Sequence, residues 1–541
     1  MRLRLLLLLP ILAASLFAQT GARYLIITND NFYDAIQPLA QWKTKKGMLC
    51  TVVKTSQTGT SSTQIRNYIV SAYNTWNPKP EYLLLVGGAY YLTSNQVGTG
   101  PSSIQSDNPY GNMSGDRRAE LPYGRFPCNS VHQCSVMVAK TLACDRYPVA
   151  ADSDWHFHAT TVVADSGDSD APTYLSDVRT VVSQAEAHGF RSFDSLASSR
   201  GDNAADIAAA VNSGTAFVLY RGRATDYWYS PFDMRPYLGN LTNYTRLPVV
   251  YSFTCQTLSL DNVGNDSMTC NTWVKAGTVQ NPRGAVAAIG NTHSASHVAG
   301  IRSAMTRGYF TGIFAESIAT LGSAMLRGKL QVYNEYPSES LEYHGFNLFG
   351  DPELSIWTTA PQPMAVDYDS VIPFGPDSFV VTVTSSGVPV ANALVCIRSS
   401  AGIYQYGYTD VSGERTFIIN PSAEEMLDVT VTARNHMPYE GQARIFDPGA
   451  VEDRAIPKAQ VRNSNAISIA PNPGRMLFAV TARPNARVTV HSSDGRLVWS
   501  GSVPNGGTLT WSAQGVPVGV YLVSTAGKDG SRACATLRLV R

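Results

Sequence analysis

The chain is 541 residues long, more than one hydrophobic core can serve, and ordinary domain sizes divide it into three or four. Lys+Arg 42 against Asp+Glu 41 gives a net charge of +1, which excludes a global field favouring nucleic acid or acidic membranes. A hydrophobic share of 44% with only 15% charged residues, alongside Gly 43, Pro 30 and Tyr 27, fits an exported, strand-rich and loop-rich globular protein.

Arg2 and Arg4 precede an apolar run over residues 5–16, and small residues surround Ala18. This is the pattern of a secretory signal over residues 1–18, cleaved just after Ala18. The run is too short to span a bilayer, and no later run reaches the length that a membrane helix needs. A mature protein that is soluble and outside the cytoplasm follows, with no transmembrane segment. In an oxidising compartment the eight cysteines invite pairing. Cys128, Cys134 and Cys144 are close enough in sequence for one local bridge, and Cys255 with Cys270 is another candidate pair.

After the signal, residues 24–28 (Y-L-I-I-T) read as a strand, and residues 32–46 as a helix with Phe32, Ile36, Leu39, Ala40 and Trp42 near the helical period, ended by Gly47. A strand over 49–53, a helix over 65–76 and a strand over 82–86 follow. Strand-helix-strand-helix-strand at this spacing predicts a parallel sheet covered on both faces. The loop over 95–116 is rich in Ser, Gly, Asn and Asp; Asp107, Asn108, Asp116 and Glu120 are hard oxygen ligands suited to a structural Ca²⁺, although their spacing matches no calcium loop and a solvated turn-rich loop explains them as well. Residues 131–147 read as a covering helix.

A second α/β unit begins with a strand over 159–164 and its acidic exit, Asp165-Ser166-Gly167-Asp168. A helix over 174–189, a short strand around Phe193 and a helix over 207–212 lead to three apolar runs of one design. Residues 214–220 end in Arg221-Gly222-Arg223, residues 247–255 (L-P-V-V-Y-S-F-T-C) end in Cys255, and residues 284–289 end in Gly290-Asn291-Thr292-His293. If the three strands are parallel, their exits share one rim, and Arg223, Cys255 and His293 gather there. A thiol and an imidazole on one rim suggest a nucleophile with its base. Inert burial of the cysteine and plain solvation of the histidine are the competing explanation.

Residues 301–330 carry two helical stretches, and Phe346 to Glu353 close the unit. Beyond Thr358, short runs of β-type residues separated by Gly, Pro, Ser and Asp have the spacing of a β-sandwich. A polar linker over 448–465 leads to a last strand-rich module over 466–541 with no plausible catalytic set.

These words together resemble the gingipain-type cysteine peptidases, a family with a caspase-like fold, across residues 22–358. The resemblance rests on Trp42 with Lys46-Gly47, the strand over 82–87, Ser106-Asp107-Asn108-Pro109-Tyr110, Gly124-Arg125-Phe126-Pro127, the strand before Cys255, Pro282-Arg283-Gly284-Ala285-Val286 and residues 347–353. It implies an N-terminal α/β subdomain over 19–148, a catalytic α/β subdomain over 149–358 and an immunoglobulin-like domain over 359–447. It also makes Cys255 the nucleophile attacking a polypeptide substrate. Ala470-Pro471-Asn472-Pro473, Ser493-Asp494-Gly495-Arg496 and the G-V-P-V-G-V-Y-L run over 515–522 resemble a type IX secretion sorting domain, which implies that secretion machinery as a partner and a secreted or cell-surface location.

One departure matters. The family places its catalytic histidine in a Gly-His-Gly turn, and here that turn is Tyr220-Arg221-Gly222-Arg223-Ala224, with Arg223 at the histidine position. A guanidinium cannot act as a base at ordinary pH. Three readings stay open: His293 transfers the proton, His297 or another histidine does so, or the chain is a peptidase relic that binds polypeptide or surface partners. Trp228, Tyr227 and Phe232 are candidates for the wall of a substrate groove or for the core beneath it. Asp226, Asp261 or Asp266 would give preference for a basic side chain, and no cofactor is required for the chemistry.

Overall fold

The computed structural model describes residues 21–148, 154–261, 267–295 and 298–447, and in the last module 467–470, 477–482, 484–492, 496–505, 507–526 and 532–540. The signal region, the linker, Asp266 and His297 lie outside the described residues, as do most of the first two sorting-domain words. The chain forms two compact units, residues 1–448 and 449–541.

In the first unit, ten strands form one sheet. They are β1 (Tyr24–Thr28), β2 (Cys50–Lys54), β3 (Tyr82–Val86), β4 (Tyr123–Phe126), β5 (His158–Val163), β6 (Ser192–Ala197), β7 (Phe217–Arg221), β8 (Val249–Ser252), β9 (Ala287–Asn291) and β10 (Phe346–Phe349). Their order is β2-β1-β3-β4-β10-β9-β8-β7-β5-β6. β1, β3, β8 and β9 are almost wholly buried runs of aliphatic and aromatic residues, as a sheet covered on both faces requires. The covering helices include α1 (Tyr33–Lys45), α2 (Ser62–Thr75), α3 (Val131–Asp145), α4 (Ala171–Ala187), α5 (Ala204–Ser213), α6 (Thr269–Lys275), α7 (Ala299–Phe314), α8 (Leu321–Glu335) and α9 (Ser340–Gly345).

One junction organises everything else. β10 pairs parallel with β4 and antiparallel with β9, whereas the remaining neighbours pair parallel. The two α/β halves expected from sequence are therefore halves of one continuous sheet, running in opposite directions. The carboxyl ends of β7, β8 and β9 open on one rim, and β10 enters the sheet from that same rim, since Phe346 sits opposite Asn291. The segment preceding β10 is thereby delivered beside the three strand exits.

The rest of the first unit is a two-sheet β-sandwich. One sheet holds Ala365–Asp367, Asp377–Ser385, Val388–Pro389 and Glu414–Ile419; the other holds Val371–Pro373, Tyr439–Phe446, Glu425–Thr432, Leu394–Arg398 and Tyr404–Tyr408. Alternate residues such as Phe379, Val381 and Val383 face a shared core with Val395, Ile397, Val429 and Ile445. The sandwich is docked on α1: Tyr404 Oη donates to the Thr44 carbonyl at 3.0 Å, and Glu440 pairs with Lys45 and Arg146 at 2.6 and 2.7 Å. Arg23 donates to Glu81 and to Tyr408 Oη at 2.8 and 2.9 Å, with its guanidinium 4.6 Å from the Tyr406 ring centre.

The second unit holds a three-stranded and a four-stranded antiparallel sheet around Phe478, Val488, Val490, Trp511 and Val523. Among the described residues, no helix is long and apolar enough to cross a membrane.

Candidate active site

Cys255 lies three residues beyond β8, in a turn whose backbone is fixed from below. Arg221, the last residue of β7, is buried and donates to the Phe253 carbonyl, to the Ala299 carbonyl and Ser303 Oγ at 3.1 Å each, and to Asp177 at 2.8 Å. Burial pushes this guanidinium below its ordinary value, and the contact with Asp177 keeps the charge compensated. Thr254 Oγ1 donates to the Gly222 carbonyl, tying the cysteine turn to the neighbouring strand exit. Gly222 is tightly held: a Cβ there would lie 2.6 Å from the Ala164 side chain. The result is a half-buried thiol at the rim.

His293 follows β9 by two residues. Its backbone N–H donates to Asn291 Oδ1 at 2.7 Å, closing a tight turn that raises the imidazole onto the rim. Its Nδ1 is 2.9 Å from Glu342 Oε1. Glu342 comes from α9, just ahead of β10, and is completely buried. Asn291 Nδ2 and Arg302 Nη2 also donate to it, each at 2.8 Å. Burial works to raise the Glu342 carboxyl, but the bonds from His293 and Arg302 prevail and hold it below the usual carboxylate range. A carboxylate only accepts, so Nδ1 of His293 carries the proton and Nε2 is the basic nitrogen. Gly345 makes this possible, because a Cβ there would lie 2.0 Å from Asn291 Oδ1.

The fourth member is Arg302, in the first turn of α7. Its Nη1 donates to Cys255 Sγ at 2.9 Å, while Sγ lies 3.6 Å from the Ala295 carbonyl. Burial opposes the Arg302 charge, yet Glu342 and the sulfur outweigh it and hold the guanidinium above its ordinary value. Cys255, Arg302, Glu342 and His293 thus form one connected chain of contacts. Among the described residues no hydrogen bond joins the His293 ring directly to the sulfur. His344, the next histidine on this rim, is pushed down to about 4 by burial and by neighbouring Lys329, and its Nδ1 is bound 2.8 Å from the Ser340 carbonyl.

The other sequence candidates separate. Arg223 is on the rim but turned to Asp168, 2.9 Å away, with its side chain 54% exposed. Asp226 is exposed at a backbone φ of 60°; its N–H donates to the Gln256 carbonyl at 2.8 Å and its carbonyl accepts from Thr269, so its backbone ties the Arg223 turn to the cysteine loop. Trp228 does not line a groove. It is fully buried, stacks on Tyr220 at 4.5 Å and donates to Ser252 Oγ at 2.8 Å, so the core alternative holds for it and for buried Phe232. Asp107 and Asp116 are each taken by an arginine: Arg125 takes both oxygens of buried Asp107 at 2.7 Å, and Arg118 holds exposed Asp116 at 2.8 Å. Among the described residues the acidic group close enough for a metal is Asp145, Asp351 and Glu353, and Lys43 and Lys46 already pair with its carboxylates. All eight cysteines are free thiols, Cys255 and Cys270 included. Sequence reasoning missed Arg302 and Glu342; nothing in the stretch Ile301 to Phe314 marks Arg302, which shares it with Arg307 and several hydroxyl residues.

The rim gathers a thiol, an imidazole and a carboxylate on a largely parallel α/β sheet, and the comparisons say which family carries it. The chain belongs to peptidase family C25, whose description matches residues 17–357. It is 22% identical to Gingipain R2 of Porphyromonas gingivalis strain W83 over 524 residues, which is 94% of this chain and 67% of that protein. Gingipain R2 of strain ATCC 33277 is likewise 22% identical, over 529 residues. Among solved structures, the Arg specific cysteine proteinase gingipain R (RGPB) superposes with a TM-score of 0.69 at 19% identity, covering 79% of this chain and 98% of that one. The complex of Porphyromonas gingivalis RgpB pro- and mature domains gives 0.69 at 19% identity, covering 78% and 100%. The α/β fold with its large sheet is therefore the gingipain fold, with further β-rich parts.

Proposed function

We propose that the chain is a secreted cysteine endopeptidase in which Cys255 is the nucleophile and His293 the proton carrier. The observation that supports this most is a single buried carboxylate, Glu342, gripping both His293 and the arginine that contacts the sulfur. The Cys255 sulfur attacks the scissile carbonyl, and its proton passes to Nε2 of His293. Backbone N–H groups near Gly222 and Cys255 hold the oxyanion, each such donor being worth about 3 kcal/mol. His293 then protonates the leaving amine, and water releases the acyl group. Arg302 balances the charge on sulfur between these steps, a cationic neighbour being a usual way to sustain a thiolate. Arg223, with Asp168 and Asp226, forms the edge of the polypeptide-binding cleft. Thiol chemistry requires no cofactor, and calcium is present in the assay to test the acidic loop over 95–116 as a structural site.

The C-terminal unit is proposed as the type IX sorting module and the location as secreted or cell surface. Deleting residues 466–541 should then leave the protein inside the cell envelope of a host with that machinery; unchanged export would defeat the assignment.

The test of activity is cleavage of an unfolded polypeptide by the purified mature chain, under reducing conditions with calcium present. Cleavage abolished by a thiol alkylating agent and by Cys255→Ala supports the enzyme. A second reading has its own support: a guanidinium contacts the sulfur, and Arg223 occupies the turn where the family resemblance expects histidine. On that reading the chain binds polypeptide without cutting it, and Cys255→Ala binds as tightly as the parent.

A further inference from the structure

Where the β-sandwich meets the α/β region there is a cavity of about 570 Å³, within the size range of small-molecule sites. Most charged groups of its wall are compensated. Arg23 pairs with Glu81 at 2.8 Å, and Lys46 pairs with Asp145 and Glu353 at 2.7 Å each. Arg434 is different. Its Nη2 donates to the Ile313 carbonyl at 3.2 Å, its Nε is buried with no hydrogen-bond partner, and among the described residues no carboxylate pairs with it. Burial depresses this guanidinium, consistent with a charge that no described group offsets.

Arg434 is half-buried, so its charge is only partly solvated, and a ligand anion would offset that loss. We propose that this cavity binds a small monocarboxylate, with Arg434 as its ion-pair partner. Trp357 and Leu394 give the carboxylate's organic part an apolar wall. A single negative charge is specified by the surroundings: Asp145, Asp351 and Glu353 outnumber Lys43 and Lys46 nearby, so a dianion meets repulsion. The site does not depend on Cys255 chemistry and stands apart from the peptidase reading.

Calorimetric titration of the full mature chain with acetate, with diglycine and with inorganic phosphate, against sodium chloride at equal ionic strength, tests this. Acetate and diglycine should each saturate one site per chain, and phosphate should bind at least tenfold more weakly. Arg434→Met should weaken both carboxylates at least tenfold while melting, ligand-free, no lower than the parent. No saturable heat from the parent, equal binding by Arg434→Met, or phosphate binding as tightly as acetate would overturn the proposal. Should Arg434→Met melt well below the parent, the arginine is a structural tie and the proposal falls; Arg434→Gln repeats the binding comparison with a smaller change in packing.

Discussion

At the residue scale, Glu342 is the member of the rim whose loss separates positioning from packing. Glu342→Gln keeps the volume but removes the charge that holds Nδ1 of His293 and two donors of Arg302. We expect cleavage to fall about a hundredfold with the fold retained, since general acid–base assistance is worth about that much. His293→Ala should give a similar loss, read in the same peptide-cleavage assay; a rate near that of the parent would remove His293 from the mechanism. Arg302→Lys preserves a cation but not the fork that reaches both sulfur and carboxylate. Alkylation of Cys255 by iodoacetamide at pH 7 should slow by about tenfold or more, because the thiolate is the reacting form. Cys255 and His293 were legible in sequence because each ends an apolar run, and strand ends are where α/β sheets present side chains. Arg302 and Glu342 were not, because a helix turn and a short segment ahead of a strand carry no such positional signature. Trp228 misled for a related reason: its place in a loop word suggests exposure, while its indole N–H finds Ser252 in the core.

At the element scale, Gly345 sets the approach of α9 to β9. Gly345→Ala drives a methyl into Asn291 Oδ1, and the expected outcome is loss of cleavage disproportionate to any change in melting temperature. Another element-level feature is the clamp between α3 and α6. Lys140 is fully buried and donates to the carbonyls of Val274 and Ala285 at 2.9 and 3.2 Å, and burial pushes it down to about 7. In the unfolded chain a lysine titrates near about 10.4, so between these values the unfolded state holds a proton that the folded state lacks. Stability therefore rises with pH across that window, and the penalty is complete below pH 7. Denaturation midpoints at pH 7 and pH 9 should show the rise in the parent, and Lys140→Met should flatten it. Most helices and strands of the α/β region were readable from apolar period alone. β4 and β10 were not: at four residues each they are too short to show a period. In the sandwich, Tyr439–Phe446 hides for another reason: polar Glu440, Gln442 and Arg444 occupy its outward positions and Gly441 interrupts the inward row of Ala443 and Ile445.

At the scale of the molecule, the sandwich is bound to the α/β region by side chains that bury one another. Arg23 is the clearest case, linking Glu81, the Gly47 carbonyl and Tyr408. A chain ended after residue 358 would expose the α1 surface that Tyr404 and Glu440 cover and the Arg23 guanidinium beneath Tyr406. Its melting temperature should fall by several degrees relative to residues 19–447, and an unchanged value would show that the two parts are energetically separate. The sequence separated these parts by composition but carried no sign that they are docked, because the contacts join residues more than 300 positions apart.

The placement of β10 has a consequence for how the molecule comes into being. Ribosomes build from the amino terminus, so the strands on both flanks of residues 346–349 are made first, leaving a vacant slot at mid-sheet. Only when that last insert arrives do the two halves share backbone bonds, and the same event carries Glu342 to the imidazole. A nascent or prematurely ended chain thus holds its sulfur without the carboxylate that contacts the imidazole, so assembly of the rim is coupled to completion of the sheet.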